Sequence, residues 1–352
     1  MPRTELTREL FGRVGGTDVH RYTLARDGGI TVRILDYGGV VQSLEAPDRS
    51  GRRADVVLGY PDLDGYVANN RPGAPRVFLG AVIGRYANRI AGGAFALDGV
   101  LHRVPVNDGK NSLHGGPAGF DTRVWSAAEV PGGLRLTLVS PDGDQGYPGQ
   151  LTTEVTYRLD ARGRLVLTYR ATTDAPTVVN LTNHTYWNLA GTGDVHDHRL
   201  AIAASRYCPT DENLIPAGDP VPVDGTPFDF RAPERIGARL GESDPQLAIG
   251  SGYDHNWVLD DDAPFAARAW EPASGRLLTM WTTEPGVQFY SGNYLGADGR
   301  PHHRGAGFAL EAQHFPDSPN RPDFPSTVLR PGEVYHQETV FALATADRFP
   351  VA

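Results

Sequence analysis

Cysteine, methionine and lysine are nearly missing from this 352-residue chain, which holds one Cys, two Met and a single Lys, Lys110. The lone Cys208 excludes an intrachain disulfide, a thiolate zinc cluster and a C-x-x-C redox pair. Positive charge is also short: 33 Lys and Arg stand against 42 Asp and Glu, a net charge of −9. A field of that sign does not attract a phosphate backbone, so no nucleic-acid partner is expected. The longest apolar run, Val77 to Gly84, lies between Arg76 and Arg85 and falls far short of the roughly 20 residues that cross a bilayer. The opening Met1-Pro-Arg-Thr-Glu-Leu-Thr-Arg-Glu-Leu mixes charges where a secretory signal carries a continuous apolar region. A soluble cytoplasmic protein with no membrane partner is expected. Helical periodicity is scarce as well. Only Pro233 to Leu240 reads as a short helix, with its proline at the first turn, where a missing N–H costs nothing.

What is abundant is glycine and proline, 42 and 28 residues, about a fifth of the chain where roughly 12% is usual and disorder begins near roughly 25–30%. The chain therefore reads as ordered and turn-rich, with 40% apolar residues to build a core. Apolar and β-branched residues alternate in Ile30–Leu35, Leu134–Val139, Leu151–Leu159 and Leu165–Ala171, the period of half-buried strands. Turn pairs such as Asp27-Gly28, Asp98-Gly99 and Pro331-Gly332 punctuate them. An all-β sandwich or barrel follows. No linker, charge block or repeat divides the chain, so residues 1–352 are expected to form one domain. Two long loops, Pro209–Phe228 and Phe315–Ser326, either rim a cleft or pack as structural loops.

Five segments concentrate polar and titratable residues. Gly84-Arg-Tyr-Ala-Asn-Arg-Ile90 offers fixed donors to an oxygen-rich ligand, or solvated arginines at a strand end. In Asn107–Gly116, His114 precedes two glycines that allow close backbone approach, or sits in an exposed hairpin turn. Alternation along Asn180–Asn188 puts Asn180, Thr182, His184 and Tyr186 on one face, and such a polar face inside a core-like strand must be satisfied or used. Asp254, in Gly252–Trp257, can accept hydrogen bonds from hydroxyls or be a plain turn carboxylate. Val287–Asn293 and Phe308–His314 complete the set. In the latter, Glu311 shares a face with Gln313 among apolar neighbours, where its pKa would rise toward that of a general acid or base, unless the strand is a solvated edge. For a metal, His196-Asp-His198, His302-His303 and the pair His114 and His184 lack zincin spacing and a third ligand. No G-x-S-x-G elbow, P-loop or dinucleotide fingerprint is present. Neither metal nor cofactor is expected.

Read in order, these segments resemble the aldose 1-epimerase (galactose mutarotase) family. The resemblance is carried by Gly84-Arg-Tyr-Ala-Asn-Arg-Ile, Asn111-Ser-Leu-His-Gly-Gly, Ser140-Pro-Asp-Gly-Asp-Gln-Gly-Tyr-Pro-Gly and Asn180-Leu-Thr-Asn-His-Thr-Tyr-Trp-Asn-Leu. It continues through Gly225-Thr-Pro-Phe-Asp-Phe, Tyr253-Asp-His-Asn, Pro285-Gly-Val-Gln-Phe-Tyr-Ser-Gly-Asn and Glu311-Ala-Gln-His-Phe-Pro-Asp-Ser-Pro-Asn. It implies a large antiparallel β-sandwich with an open sugar-binding cleft, no cofactor, and interconversion of the α and β anomers of free aldoses such as galactose and glucose. By the same resemblance Glu311 is the general base, His184 the general acid and His114 the second active-site histidine. Asn88, Arg89, Tyr186, Asp254 and Gln288 match positions that bind sugar hydroxyls. On this reading Gly115-Gly116, Gly143, Gly146, Pro148, Pro316 and Pro319 surround the cleft.

Three rival readings remain at this point. A non-catalytic sugar-binding protein on the same scaffold would be expected to lose a member of the acid–base set. A hexose 6-phosphate epimerase would recruit cations such as Arg85, Arg89 or Arg231. A glycoside hydrolase would pair Asp254 with Glu311 and leave the histidines without a role. Oligomeric state and the preferred aldose are not legible.

Overall fold

The period-two segments become long antiparallel strands in a computed structural model that describes residues 4–70, 76–299 and 301–350. Leu151–Leu159 buries every second residue and pairs with Leu165–Thr173 in a register that sets Val155 opposite Tyr169 and Tyr157 opposite Leu167. These two strands lie inside a nine-stranded sheet. Gly133–Ser140 and Ser126–Val130 flank them on one side, Tyr335–Thr345, Arg276–Thr282, Ala267–Trp270, Arg199–Ile202 and Glu234–Arg235 on the other. A five-stranded meander, Thr4–Val14 to Arg53–Asp55, forms a second sheet. The third has six strands in the order Tyr186–Trp187, Phe308–Gln313, Gly286–Tyr290, Asp254–Val258, Arg206–Cys208, Val221–Pro222. One large apolar cluster joins all three through residues such as Ile34, Val155, Met280, Phe289 and Leu310. The expected antiparallel all-β architecture is what the chain adopts.

The helix expected over Pro233–Leu240 is absent. Glu234–Arg235 instead adds a strand beside Arg199–Leu200, and the backbone N–H groups of Ile236 and Gly237 donate to His198 and His196 carbonyls. The two α-helices described lie elsewhere, at Leu63–Asn69 and Pro245–Gly250. Each begins with an aspartate whose side chain accepts from the first turn, Asp62 from Gly65 and Asp244 from Gln246 and Leu247. Asp244-Pro245 thus supplies the N-cap that Ala232-Pro233 lacks. No helix among the described residues is long and apolar enough to cross a membrane.

In the six-stranded sheet every residue of Phe308–Gln313 is buried. Phe308, Leu310 and Ala312 enter the main core, which leaves Ala309, Glu311 and Gln313 on the opposite face. The same parity turns Val287, Phe289 and Trp257 to the core and Gln288, Tyr290 and Asp254 away from it. Tyr186 stands opposite Ala309 and Gln288 opposite Glu311. The sheet therefore carries a hydrocarbon face and a face of functional groups, and it is interior to the fold, not a solvated edge. Cys208 on this sheet is buried, its thiol pushed up to about 12 by burial, and behaves as a small hydrophobe.

Several histidines are buried in neutral form. Burial pushes His198 down to about 4 and His255 to about 3, and Nε2 of His198 accepts a hydrogen bond of 2.9 Å from the Leu189 N–H. In the unfolded chain a histidine takes up a proton below about pH 6.5. The stabilisation from holding His198 neutral is therefore complete above that pH and is lost as the pH falls toward 4. His198→Gln keeps an acceptor without a titrating ring. Between pH 7 and 5, urea unfolding of the wild type is expected to lose about 2 kcal/mol more than the variant.

Candidate active site

The functional face of the six-stranded sheet forms the floor of a cavity of about 510 Å³, open to solvent. Glu311, Asp254, Tyr186 and Tyr290 rise from it. The facing wall is built from two-residue pairings. Val82–Ile83 pairs with Thr182–Asn183, so His184 follows directly, and Arg89–Ile90 pairs with Ser112–Leu113, so Asn88 and His114 flank that pair. The segment Asn180–Tyr186 is consequently not the single continuous strand its alternation suggests. His184 and Tyr186 do share the cavity, but the Asn180 side chain turns away to bond Ala87 and His314.

His114 is locked by reciprocal bonds. Its N–H donates to the Asn88 carbonyl, and the Asn88 N–H donates to its Nδ1, both at 3.1 Å. Asn88 and His114 adopt the left-handed conformation, φ +64° and +52°. Neutral imidazole has one bare nitrogen. With Nδ1 occupied by a donor, Nε2 carries the hydrogen, and His114 is a neutral donor. Gly115 follows because the backbone comes so close to residue 84 that a Cβ there would lie 2.1 Å from the Gly84 carbonyl oxygen. Behind this loop, Gln145 accepts from the Ala118 N–H, and the buried Arg85 guanidinium donates to the carbonyls of Ser140, Pro141, Pro148 and Gly149.

His184 Nε2 lies 3.6 Å from Glu311 Oε1. Burial pushes the imidazole down to about 4. It pushes Glu311 well above the usual carboxylate range, with the Asp254 charge adding to the rise and Arg89 opposing it. Burial thus favours a protonated carboxyl beside a neutral imidazole. His114 is held well below its ordinary value by burial, and then by His184, Arg89 and Arg76. Asp254 is raised by desolvation, with Arg89 and the Gln288 amide opposing. Ligand atoms of His114, His184 and Glu311 all lie within 4.8 Å of one another. The third ligand absent from the sequence spacing is thus supplied by the fold. The bond from Asn88 nevertheless takes the one lone pair His114 would give a metal, so this donor set does not fit an ion without breaking it.

The other expected contacts divide. Asn88 and Arg89 line the cavity, Arg89 in an ion pair of 2.7 Å with Asp108. Gln288 lies beside the lining, its amide donating to Asp254 Oδ1 at 2.8 Å. Of the two long loops, Pro209–Phe228 reaches the cavity through Glu212, Asn213 and Leu214. Phe315–Ser326 instead supports the wall from behind, Asp317 accepting from the Ala91 N–H. The glycines and prolines expected at the rim, Gly115 to Pro319, are not in the lining; they shape the supporting loops. Arg76, Phe78, Asp108 and Leu214 line the cavity without having been singled out. Phe78 reads as part of an apolar core run, and Asp108 as part of the turn before His114.

The fold and this cavity define a class: antiparallel β-proteins that carry acid–base groups at a sugar-sized, open cleft. Residues 20–342 match the family model for aldose 1-epimerase, and the chain belongs to that family. It is 44% identical to human galactose mutarotase, with 97% of this chain and 99% of that protein covered. It is 40% identical to the aldose 1-epimerase of Escherichia coli K12 over 91% and 93% of the two chains. The crystal structure of galactose 1-epimerase from Lactobacillus acidophilus superposes with a TM-score of 0.86 at 30% identity, covering 97% and 99%. The protein is an isomerase, an aldose 1-epimerase that interconverts the α and β anomers of aldoses.

Gly115→Ala places a Cβ against Gly84 in a backbone conformation, φ +80°, that side chains resist. Chemical denaturation is expected to show a loss of about 2 kcal/mol or more.

Proposed function

We propose that this site opens and recloses the ring of a free aldohexose, galactose or glucose, with Glu311 as base, His184 as acid and His114 as a fixed donor. The observation that carries the reading is the His184–Glu311 pair, 3.6 Å apart where the wall of the cavity meets its floor, and both buried. With sugar bound, ionised Glu311 takes the proton of the C1 hydroxyl while protonated His184 gives one to the ring oxygen. The C1–O5 bond breaks to an open-chain aldehyde, leaving Glu311 protonated and His184 neutral. That is the charge state burial already favours. Rotation about C1–C2 presents the other face of the carbonyl. Glu311 then returns its proton to O1 as O5 attacks C1 and loses its proton to His184, giving the other anomer. One proton is shared by the pair throughout. A second proton removes the base, and loss of the shared one removes the acid. The Nε2 hydrogen of His114 stabilises charge developing on the ring oxygen. Asn88, Arg89, Tyr186 and Asp254 hold the hydroxyls, and Gln288 acts with Asp254.

A free sugar fits the charges better than a phosphorylated one. Four acidic side chains, Asp108, Glu212, Asp254 and Glu311, line the cavity, and among the described residues no free cation stands beside them to meet a phosphate. Its arginines are engaged, Arg89 with Asp108 and Arg76 with Asp121. Arg85 is enclosed by carbonyls, and Arg231 is bound to Asp224 and Asp229. A non-catalytic binding protein has no need of the complete acid–base set found here. The chain is read as one domain acting in the cytoplasm on a monosaccharide, without cofactor.

Polarimetry on freshly dissolved α-D-galactose provides the test. Glu311→Gln and His184→Asn are each expected to lower kcat by ~10²–10⁴-fold, and galactose 6-phosphate to be a poor substrate. Wild-type turnover by both folded variants, or a preference for the phosphate, defeats the reading.

A further inference from the structure

A catalytic histidine is ordinarily oriented by a hydrogen bond on its second nitrogen. His184 is different: among the described residues no other residue gives its buried Nδ1 a hydrogen bond, and only its own backbone lies close enough to oppose the effect of burial on the ring. Aromatic rings surround it instead. Phe78 lies nearly parallel to the imidazole, centroids 5.8 Å apart at 24°, and Tyr186 is likewise stacked at 4.9 Å and 27°. Phe78 also meets His114 edge-on at 4.6 Å and 72°. The phenylalanine is itself held in place. Its φ of +56° is an outlier for a bulky side chain. The turn that begins with it is latched to the histidine, the His184 N–H donating to the Ala81 carbonyl and the Gly80 N–H to the His184 carbonyl. Above the ring, 4.7 Å from its centroid, sits the Arg76 guanidinium. Arg76 also bonds the carbonyls of Gly116 and Pro117 and the Asp121 carboxylate, tying Phe78 to the loop that carries His114.

We propose that Phe78 is a positioning residue for His184, setting the plane of the imidazole by stacking in place of a hydrogen bond. An imidazole fixed in this way keeps Nε2 toward Glu311 and the sugar ring oxygen whichever nitrogen carries the hydrogen. The π face is also attractive to the ring when it becomes imidazolium. This inference rests on the assignment of His184 as the acid.

The test compares Phe78→Leu, Phe78→Tyr and His184→Asn by polarimetry, with NMR of the His184 ring in wild type and the Phe78 variants. Phe78→Leu stays apolar and meets the same backbone constraint, yet is expected to lower kcat about tenfold with KM within about twofold. Phe78→Tyr restores the stack and is expected to keep kcat within about twofold. In the wild type the His184 Cε1–H resonance should lie upfield of that of part-exposed His20 through the ring currents, and Phe78→Leu should diminish the shift. Wild-type kcat in Phe78→Leu, or a parallel loss of kcat without movement of the resonance, overturns the proposal. Absence of the upfield shift in the wild type overturns it even where the leucine variant does not fold. An inactive His184→Asn beside a fully active Phe78→Leu removes this inference alone, whereas an active His184→Asn removes the acid assignment with it.

Discussion

Keeping Glu311 and His184 together out of water is the constraint from which the rest of the site follows. A buried carboxyl resists ionisation and a buried imidazole resists protonation, so the pair settles as two neutral groups around a single proton. The charged arrangement that the proposed mechanism starts from lies uphill in this buried setting, and on that proposal the hydroxyls of a bound sugar replace the missing solvation. The six-stranded sheet makes this possible because its core face supplies the hydrocarbon behind Glu311 while its other face gathers Gln288, Asp254 and Tyr186.

The opposite wall meets the same demand by different means. Its strands are only two residues long, and its precision comes from backbone latches. The mutual bonds of Asn88 and His114 fix one imidazole directly, and those of Gly80, Ala81 and His184 fix the backbone that carries the other. Segments remote from the cavity, such as Ser140–Gly149 around Arg85 and the Asp317 turn, hold these latches in place.

Much of this was legible from the residues. Alternation identifies strands at Leu151–Leu159 and Leu165–Ala171, and the same parity groups Glu311 with Gln313 on one face of Phe308–Gln313. The polar segments meet at one cavity because Phe308–Gln313 and Asp254–Val258 turn their polar face toward it, while Asn88, His114 and His184 flank two-residue pairings on the other side. What could not be read was conformation set by tertiary contact. Asn180–Tyr186 alternates like a strand but is broken to place His184, and Pro233 looks like a helix start until Ile236 and Gly237 pair with the His196–His198 segment. Phe78 was hidden for a similar reason: inside an apolar run nothing distinguishes a core phenylalanine from one turned toward a cavity by a left-handed φ.

The breadth of the cleft has a consequence for what evolution can adjust. At about 510 Å³ and open at the mouth, one cavity serves both ring forms. Because the catalyst is unchanged at the end of each passage, the ratio of its specificity constants for the two anomers equals the sugar's own equilibrium constant in water. Substitution in the pocket can hasten or slow the approach to that balance, and can choose among sugars, but it cannot enrich one anomer over the other.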